Sequence, residues 1–326
     1  RVVLNREVSE WIEVTSSVVQ GSVLGPILFA IYINDLDVSM NCTDSVLISK
    51  FADDTKVGRA ISKSTDCLEL QNALNDLASW SARWGMELHP DKCTVIHFGK
   101  NNPEFVYNIN GVKVKQSENV RDLGVLISND SSQTPHITNI TKKANAVLSQ
   151  IKRTVLYRDN VIFPKIYQAY VRPLLEYAVE VWNPAKIEDI KEIEKVQRRA
   201  TRLIKSQSGE NYDQRLENLG MTTLKERRQR GDMNQTFKII NDFSGIDKND
   251  FFNFVKDRHD ITTRSVSSDL LVPEKCNLNI RKHFFPCRVV NDWNALPLHV
   301  RSSVSVNAFK NAYDDYILES KICGTL

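Results

Sequence analysis

Apolar and polar positions change period near residue 130. Before it, short alternating stretches are separated by helical ones; after it, the apolar spacing is helical. Val2 and Leu4, then Trp11, Glu13 and Thr15, alternate loosely and predict a hairpin leading into a turn. Over 20–35 the pattern predicts a helix, with Ser22 able to cap it and Pro26 early enough that its missing N–H is tolerated. Leu28, Phe29, Ile31 and Tyr32 would form its apolar face. Val46, Ile48 and Phe51 are strand formers, as are Val57 and Ile61 after the break at 52–55, which predicts strand, turn, strand. Ser64 or Thr65 can cap a helix through Leu70, Ala73, Leu74, Leu77, Trp80 and Trp84 that Pro90 ends. A short strand is expected over 93–98, a hairpin around Asn110-Gly111, and another strand over 123–127.

From about residue 135, Ile137, Ile140, Ala144, Leu148, Ile151 and Val155 mark one helical stripe. A second helix, roughly 160–181, is expected to kink or split at Pro173. Ile187, Ile190, Ile193, Val196, Ala200 and Ile204 mark a third, whose other face carries Lys191, Lys195, Arg198, Arg199, Arg202 and Lys205. A fourth is expected over 222–242, and the tail from 243 reads as short helices broken by Gly and Pro.

The 326 residues suffice for roughly two domains. With 41% hydrophobic and 25% charged residues, the composition is that of an ordinary soluble chain and excludes a disordered or collagen-like one. The near-apolar run 23–33 is too short to cross a bilayer and contains Gly25 and Pro26. No secretory leader is visible, so an intracellular protein, nuclear or cytoplasmic, is expected. Net charge is only +3, but 141–230 holds 19 Lys and Arg against 11 Asp and Glu. Such a segment is either a nucleic-acid footprint or a solvated helical face. The six cysteines include no CxxC pair and read as reduced thiols. Cys276, His283 and Cys287 are spaced loosely like part of a zinc knuckle, but lack a fourth ligand at knuckle spacing, so unligated side chains are expected.

The chemistry concentrates at Asp53-Asp54, on the turn between two apolar strands. Adjacent carboxylates there suit divalent cations, and Mg²⁺ needs only one or two carboxylates beside substrate phosphates. Two such ions can activate a hydroxyl and stabilise a leaving oxygen in phosphoryl transfer. Taken alone, an Asp-Asp turn is more simply a solvated hairpin tip. Its surroundings change that reading: QGSVLGPILF at 20–29 precedes FADD at 51–54, and Trp80, Trp84 and Lys92 follow.

With VTSSVVQGSVLGPILFAIYINDL, SKFADDTKVGR, LASWSARWGMELHPDKC and NVRDLGV, the sequence resembles the reverse transcriptases of LINE-type, non-LTR retrotransposons, jockey-like ones in particular. KKANAVLSQIKR, VRPLLEYAVEVW, IEKVQRRATRLI and RKHFFPCRVVNDWNALP extend the likeness over nearly the whole chain. The resemblance implies an α+β fold. A partial right-hand polymerase palm over 1–129, a small antiparallel sheet with helices, would precede a helical thumb over 130–206. A mixed, mostly helical C-terminal extension would occupy 207–326. It implies RNA-directed DNA polymerisation: dNTPs added to a DNA primer 3′-hydroxyl on an RNA template, with Mg²⁺. Asp53 would be the principal metal ligand and Asp54 the supporting one. Lys92 would protonate the departing pyrophosphate. Gln20, Gly21, Ser22, Phe51 and Ala52 would face template and nucleotide. Lys191, Lys195, Arg198, Arg199 and Arg202 would meet the nucleic-acid backbone. The Asn110-Gly111 hairpin and Leu123-Gly124-Val125 would hold the primer end. Trp80 and Trp84 are expected in the core rather than stacked on bases. No protein partner follows from the resemblance, and no membrane.

The family carries a further catalytic aspartate on a strand before the Gln-Gly motif, and no Asp precedes Gln20 here. Ser17 and Val19 replace the usual glycine and proline, and His89 stands where Asn is usual. These departures predict an N-terminally truncated copy, inactive as an isolated chain. The rival readings are a non-catalytic nucleic-acid-binding relic and a structural protein with no nucleic-acid role.

Overall fold

The computed structural model describes residues 1, 3–13, 18, 21–40, 45–255 and 269–323, which fold as two units, Arg1–Glu118 and Asn119–Leu326. About half of the chain is helical and the strands are short, an α+β composition. Among the described residues the strands form five two-stranded sheets, four antiparallel and one parallel.

In the first unit, β1 (Val3–Leu4) and β2 (Glu7–Val8) pair across Asn5 and Arg6, both at positive φ as a type I′ turn requires. Val2 and 14–17, which the alternation placed here, lie outside the described residues. α1 (Gly25–Tyr32) opens where Ser22 Oγ accepts from Gly25 N–H at 3.0 Å, with Pro26 in its first turn. The face turned inward differs from the one expected. Phe29 and Tyr32 pack with Ile33 and, in α2 (Leu36–Ser39), Leu36, a helical 29-32-33-36 spacing, while Leu28 and Ile31 are exposed.

β3 (Val46–Phe51) and β4 (Asp54–Arg59) form the longest antiparallel pair of this unit. α3 (Ser64–Trp84) packs beside β4 and fills the core with Ala73, Leu77 and Trp80. Neither Ser64 nor Thr65 caps it. Asp66 does, reaching back to accept from the N–H groups of Ser62 (2.7 Å) and Lys63 (2.8 Å). Those bonds, with Arg59, hold the Asp66 carboxyl down at about 2. The helix stops at Gly85, whose φ of +68° a glycine adopts without strain, and not at Pro90, which opens a single 3₁₀ turn through Lys92. Trp80 is 2% exposed, donates from its indole to Asp35 Oδ1 (3.1 Å) and meets Tyr32 edge-on. Trp84 leans on Tyr32 but remains half exposed.

The remaining strands are β5 (Thr94–Val95), β6 (Asn108–Ile109), β7 (Val112–Lys113) and β8 (Lys115–Gln116). β6 and β7 turn at Asn110-Gly111, both at positive φ, as the sequence predicts. The strand expected over 93–98 shrinks to β5, which pairs in parallel with β8.

The second unit begins with the hairpin β9 (Asn119–Asp122) and β10 (Val125–Ser128). Leu123 and Gly124 form its turn rather than a strand, with φ of +43° and +87°. A Cβ on Gly124 would meet the Tyr177 ring at 3.2 Å, and Tyr177 donates its hydroxyl to Leu123 O at 2.9 Å. α4 (Thr134–Thr154) buries Ile137, Ile140, Ala144, Leu148 and Ile151, the predicted stripe. The following stretch breaks twice, into α5 (Ile162–Tyr170), α6 (Arg172–Glu176) and α7 (Val179–Trp182). One break is the Pro173 split; the other is at Ala178, with φ +53°. α8 (Ile187–Thr201) is followed by a 3₁₀ turn at Lys205–Gln207, the unforeseen α9 (Tyr212–Asn218) and α10 (Leu224–Ile240). The tail contains α11 (Lys248–Phe251), α12 (Asn279–Lys282), α13 (Phe285–Arg288), α14 (Val290–Ala295), α15 (Leu298–Arg301) and α16 (Val306–Ile322). The last, at 17 residues, is not the short helix the pattern suggests.

One core runs from Val125 through α4–α9 to Leu224, and a second joins Met233, Phe237 and Ile240 to Phe285, Trp293, Phe309 and Tyr313. α10 contributes to both. Gly231 lets it approach α7, since a Cβ there would lie 3.0 Å from Val179 Cγ1. On the next residue, the buried Asp232 carboxylate accepts from Asn183 (2.9 Å) and from Arg288 Nε (3.0 Å) and Nη2 (2.7 Å). Arg228, 1% exposed, donates to the same Asn183.

Removing one partner of a buried ion pair strands the other. Asp232→Ala is therefore expected to cost about 3–5 kcal/mol in urea unfolding followed by circular dichroism, and Asp232→Asn less. His136 gives a second expectation. It is 2% exposed, and its Nδ1 accepts from Leu126 N–H at 3.0 Å. Burial, then the charges of Arg121 and Lys143, push it down to about 4 from 6.5. Between those values the unfolded chain binds a proton that the folded one does not. Stability should fall as pH drops through that window, by at most about 1.4 kcal/mol per unit, and level off below it. His136→Asn keeps an acceptor without titrating, and should flatten that stretch of the unfolding-versus-pH curve.

Candidate active site

The alternation of β3, with Val46 and Ile48 turned inward and Leu47, Ser49 and Phe51 outward, fixes the register of the hairpin. Phe51 pairs with Asp54, leaving Ala52 and Asp53 as a two-residue turn. Only the first of the two has positive φ (+51°), the pattern of a type II′ turn, where glycine is the usual occupant. Alanine in that conformation is strained by about 1–2 kcal/mol. Phe51, Ala52, Asp53 and Asp54 are all exposed, so the two carboxylates stand adjacent at a solvent-facing tip.

The hairpin is braced at both ends. Near the tip, Lys50 Nζ donates to Ile33 O (3.2 Å) and pairs with Asp37 (2.8 Å), tying β3 to the corner between α1 and α2. At the base, Arg59 pairs with Asp66 (2.9 Å) and Glu69 (2.5 Å), tying β4 to the first turns of α3. Sequence reasoning missed both cations. Lys50 stood next to FADD, and Arg59 lay on the same strand as Asp54, so their position was the available signal.

Gln20 lies outside the described residues. Gly21 has φ of +82°, and Ser22 spends its hydroxyl on the start of α1. Lys92 closes the 3₁₀ turn with its side chain exposed. Among the described residues, no hydrogen bond or ion pair joins Gly21, Ser22 or Lys92 to Asp53 or Asp54, and neither aspartate is paired with a cation. The geometry thus groups Phe51 to Asp54 and leaves the other candidates unconnected to them.

In the second unit, Lys191, Lys195, Arg198, Arg199 and Arg202 are exposed along one side of α8 and its end, opposite the buried Ile193, Val196 and Ala200. Lys195 pairs with Glu192, Arg199 donates to Asn145, and Arg198 lies over the Tyr212 ring, 4.3 Å from its centroid. No helix among the described residues is long and apolar enough to cross a membrane.

Residues 2–127 match the family model described as reverse transcriptase (RNA-dependent DNA polymerase). The chain is 25% identical over 203 residues to the RNA-directed DNA polymerase from mobile element jockey of Drosophila melanogaster, and 28% over 205 to its Drosophila funebris namesake. It is 29% identical over 202 residues to the probable RNA-directed DNA polymerase from transposon X-element of Drosophila melanogaster. Each match covers 59% of this chain and 22% of the relative, so the chain spans about a fifth of the relatives' length. No solved structure matches. The matched segment contains the Asp-Asp hairpin, so the chain's similarity to the reverse transcriptase family and to these RNA-directed DNA polymerases of mobile elements covers the residues that carry the candidate chemistry.

Proposed function

We propose that this chain contributes the metal-binding hairpin and a nucleic-acid-holding helical body to an RNA-directed DNA polymerase that adds dNTPs to a primer 3′-hydroxyl on an RNA template. The observation that carries the reading is the β3–β4 tip inside the reverse transcriptase match: two adjacent carboxylates, exposed and unpaired with any described cation. That donor set fits a hard divalent ion such as Mg²⁺, which takes oxygen ligands and keeps sites for water and phosphate. Asp53 would be the principal ligand and Asp54 the supporting one. When bound, two such ions supply activation of the attacking hydroxyl and charge neutralisation at the leaving oxygen.

The chain's own residues hold and position. Lys50 and Arg59 hold the two strands to their neighbours and so fix where the tip with its carboxylates stands. Gly21 and Ser22, with Gln20, would lie against template and nucleotide beside Phe51 and Ala52. Lys92, as a cation on a short turn, would donate its proton to departing pyrophosphate. Residues 1–129 would form part of the palm, 130–206 the thumb and 207–326 an extension, with the last hairpin of the palm segment, 119–128, packed on the helices that follow it. The exposed Lys and Arg of α8 would contact phosphates without reading sequence.

That basic face also supports the second reading, a nucleic-acid-binding protein that uses no metal. Primer extension on an RNA template with Mg²⁺ separates the two. If the chain polymerises, Asp53→Asn should lower the rate roughly a thousandfold, since the metals contribute several kcal/mol to the transition state. Salt-sensitive binding without extension at any Mg²⁺ concentration sinks the catalytic reading for this chain. The α8 face has its own measurement. Neutralising Lys191, Arg198 and Arg202 one at a time should each flatten the dependence of log affinity on log salt, by about 0.7–0.9 for every phosphate no longer neutralised. An unchanged slope would remove α8 from the interface.

A further inference from the structure

Far along the chain from the Asp-Asp hairpin, the second unit gathers three metal-ligating side chains. Glu274 and Cys276 lie on the segment before α12, and Cys287 lies in α13. Their ligand atoms all fall within 4.8 Å of one another, an arrangement seen nowhere else among the described residues. The Cys287 thiol donates to Glu274 Oε2 at 3.4 Å, and the Cys276 thiol to the Glu274 carbonyl at 3.5 Å. Both cysteines are half-buried and free, and the carboxylate is exposed. His283, the residue whose spacing suggested a knuckle, is not part of the group; Glu274 takes its place.

We propose that Glu274, Cys276 and Cys287 form a binding site for a thiophilic divalent cation of the Zn²⁺ class. Two thiolates and a carboxylate are a borderline-soft donor set, which suits Zn²⁺, Cd²⁺ or Co²⁺ and disfavours Mg²⁺. Three protein ligands leave a fourth position for water. Two thiolates and a carboxylate exceed the charge of a divalent ion by one, and Arg281 supplies the balancing cation. Its guanidinium grips both Glu274 oxygens, with Nη2 2.7 Å from Oε2, and lies over the Phe284 ring. It thereby orients the carboxylate as an outer-sphere partner orients a ligand. Metal ligation takes the cysteines as thiolates, so binding must expel thiol protons, and affinity should rise with pH.

The test uses the whole chain under reductant, titrated with Co²⁺. One equivalent is expected to give a thiolate-to-cobalt charge-transfer band that excess Zn²⁺ bleaches. Cys276→Ser with Cys287→Ser should abolish the band, and Cys93→Ser should retain it. Glu274→Gln should weaken binding at least about tenfold, since losing even an outer-sphere partner costs that much. A second measurement needs no variant. Zn²⁺ should slow thiol alkylation at Cys276 and Cys287, mapped by peptide mass, and leave the exposed Cys323 unaffected. No band in the unaltered chain, a band that survives the double substitution, or equal alkylation with and without Zn²⁺ overturns the proposal.

Discussion

Asp232 sits 4% exposed in the middle of α10, where an uncompensated carboxylate would be among the most costly groups the chain could bury. Three donated hydrogen bonds compensate it, one from Asn183 after α7 and two from Arg288 of α13. Arg288 also reaches the carbonyls of Val179 and Glu180. One residue thus links the helices of the first core, the helix shared by both cores, and the first helices of the second. The surrounding apolar contacts tolerate small shifts. A buried charge with directional partners does not, and it fixes how α7, α10 and α13 meet.

The candidate site in the first unit depends on the opposite arrangement, charges kept in water on a braced support. Trp80 plugs the core beneath β3 and β4, and Lys50 and Arg59 hold the two strands to their neighbours. What is left at the tip is a two-residue turn whose geometry follows from the strand register. The conformational cost is concentrated at Ala52, an exposed residue at positive φ.

Much of this was legible in the residues. FADD between apolar alternations fixes a strand, a turn and a strand, and Asn-Gly at 110–111 fixes a hairpin, because period and turn chemistry are local properties. The stripe from Ile137 to Ile151 was equally plain. Less legible was anything decided by a distant partner. Asp66, not Ser64, starts α3 because Arg59 and two backbone N–H groups converge on its carboxylate. α1 turns Phe29 and Tyr32 inward because the core lies on that side, a fact the all-apolar run could not express. Leu123 looked like a strand residue until the turn it forms with Gly124 was set by Tyr177. Glu274 escaped notice because spacing motifs favour His and Cys, and its carboxylate reaches the thiols only after α12 has folded the segment back.

The hairpin at 119–128 is strand by conformation but belongs with the helices by attachment. Its second strand gives an N–H to His136 of α4, its turn carbonyl takes the Tyr177 hydroxyl, and Gly124 leaves just enough room for the Tyr177 ring. Anyone dividing this polypeptide for separate expression would naturally cut where the helices begin, near 130. Such a cut would unseat Tyr177 and deprive His136 of its donor. The seam that the packing respects lies ten residues earlier, between Glu118 and Asn119.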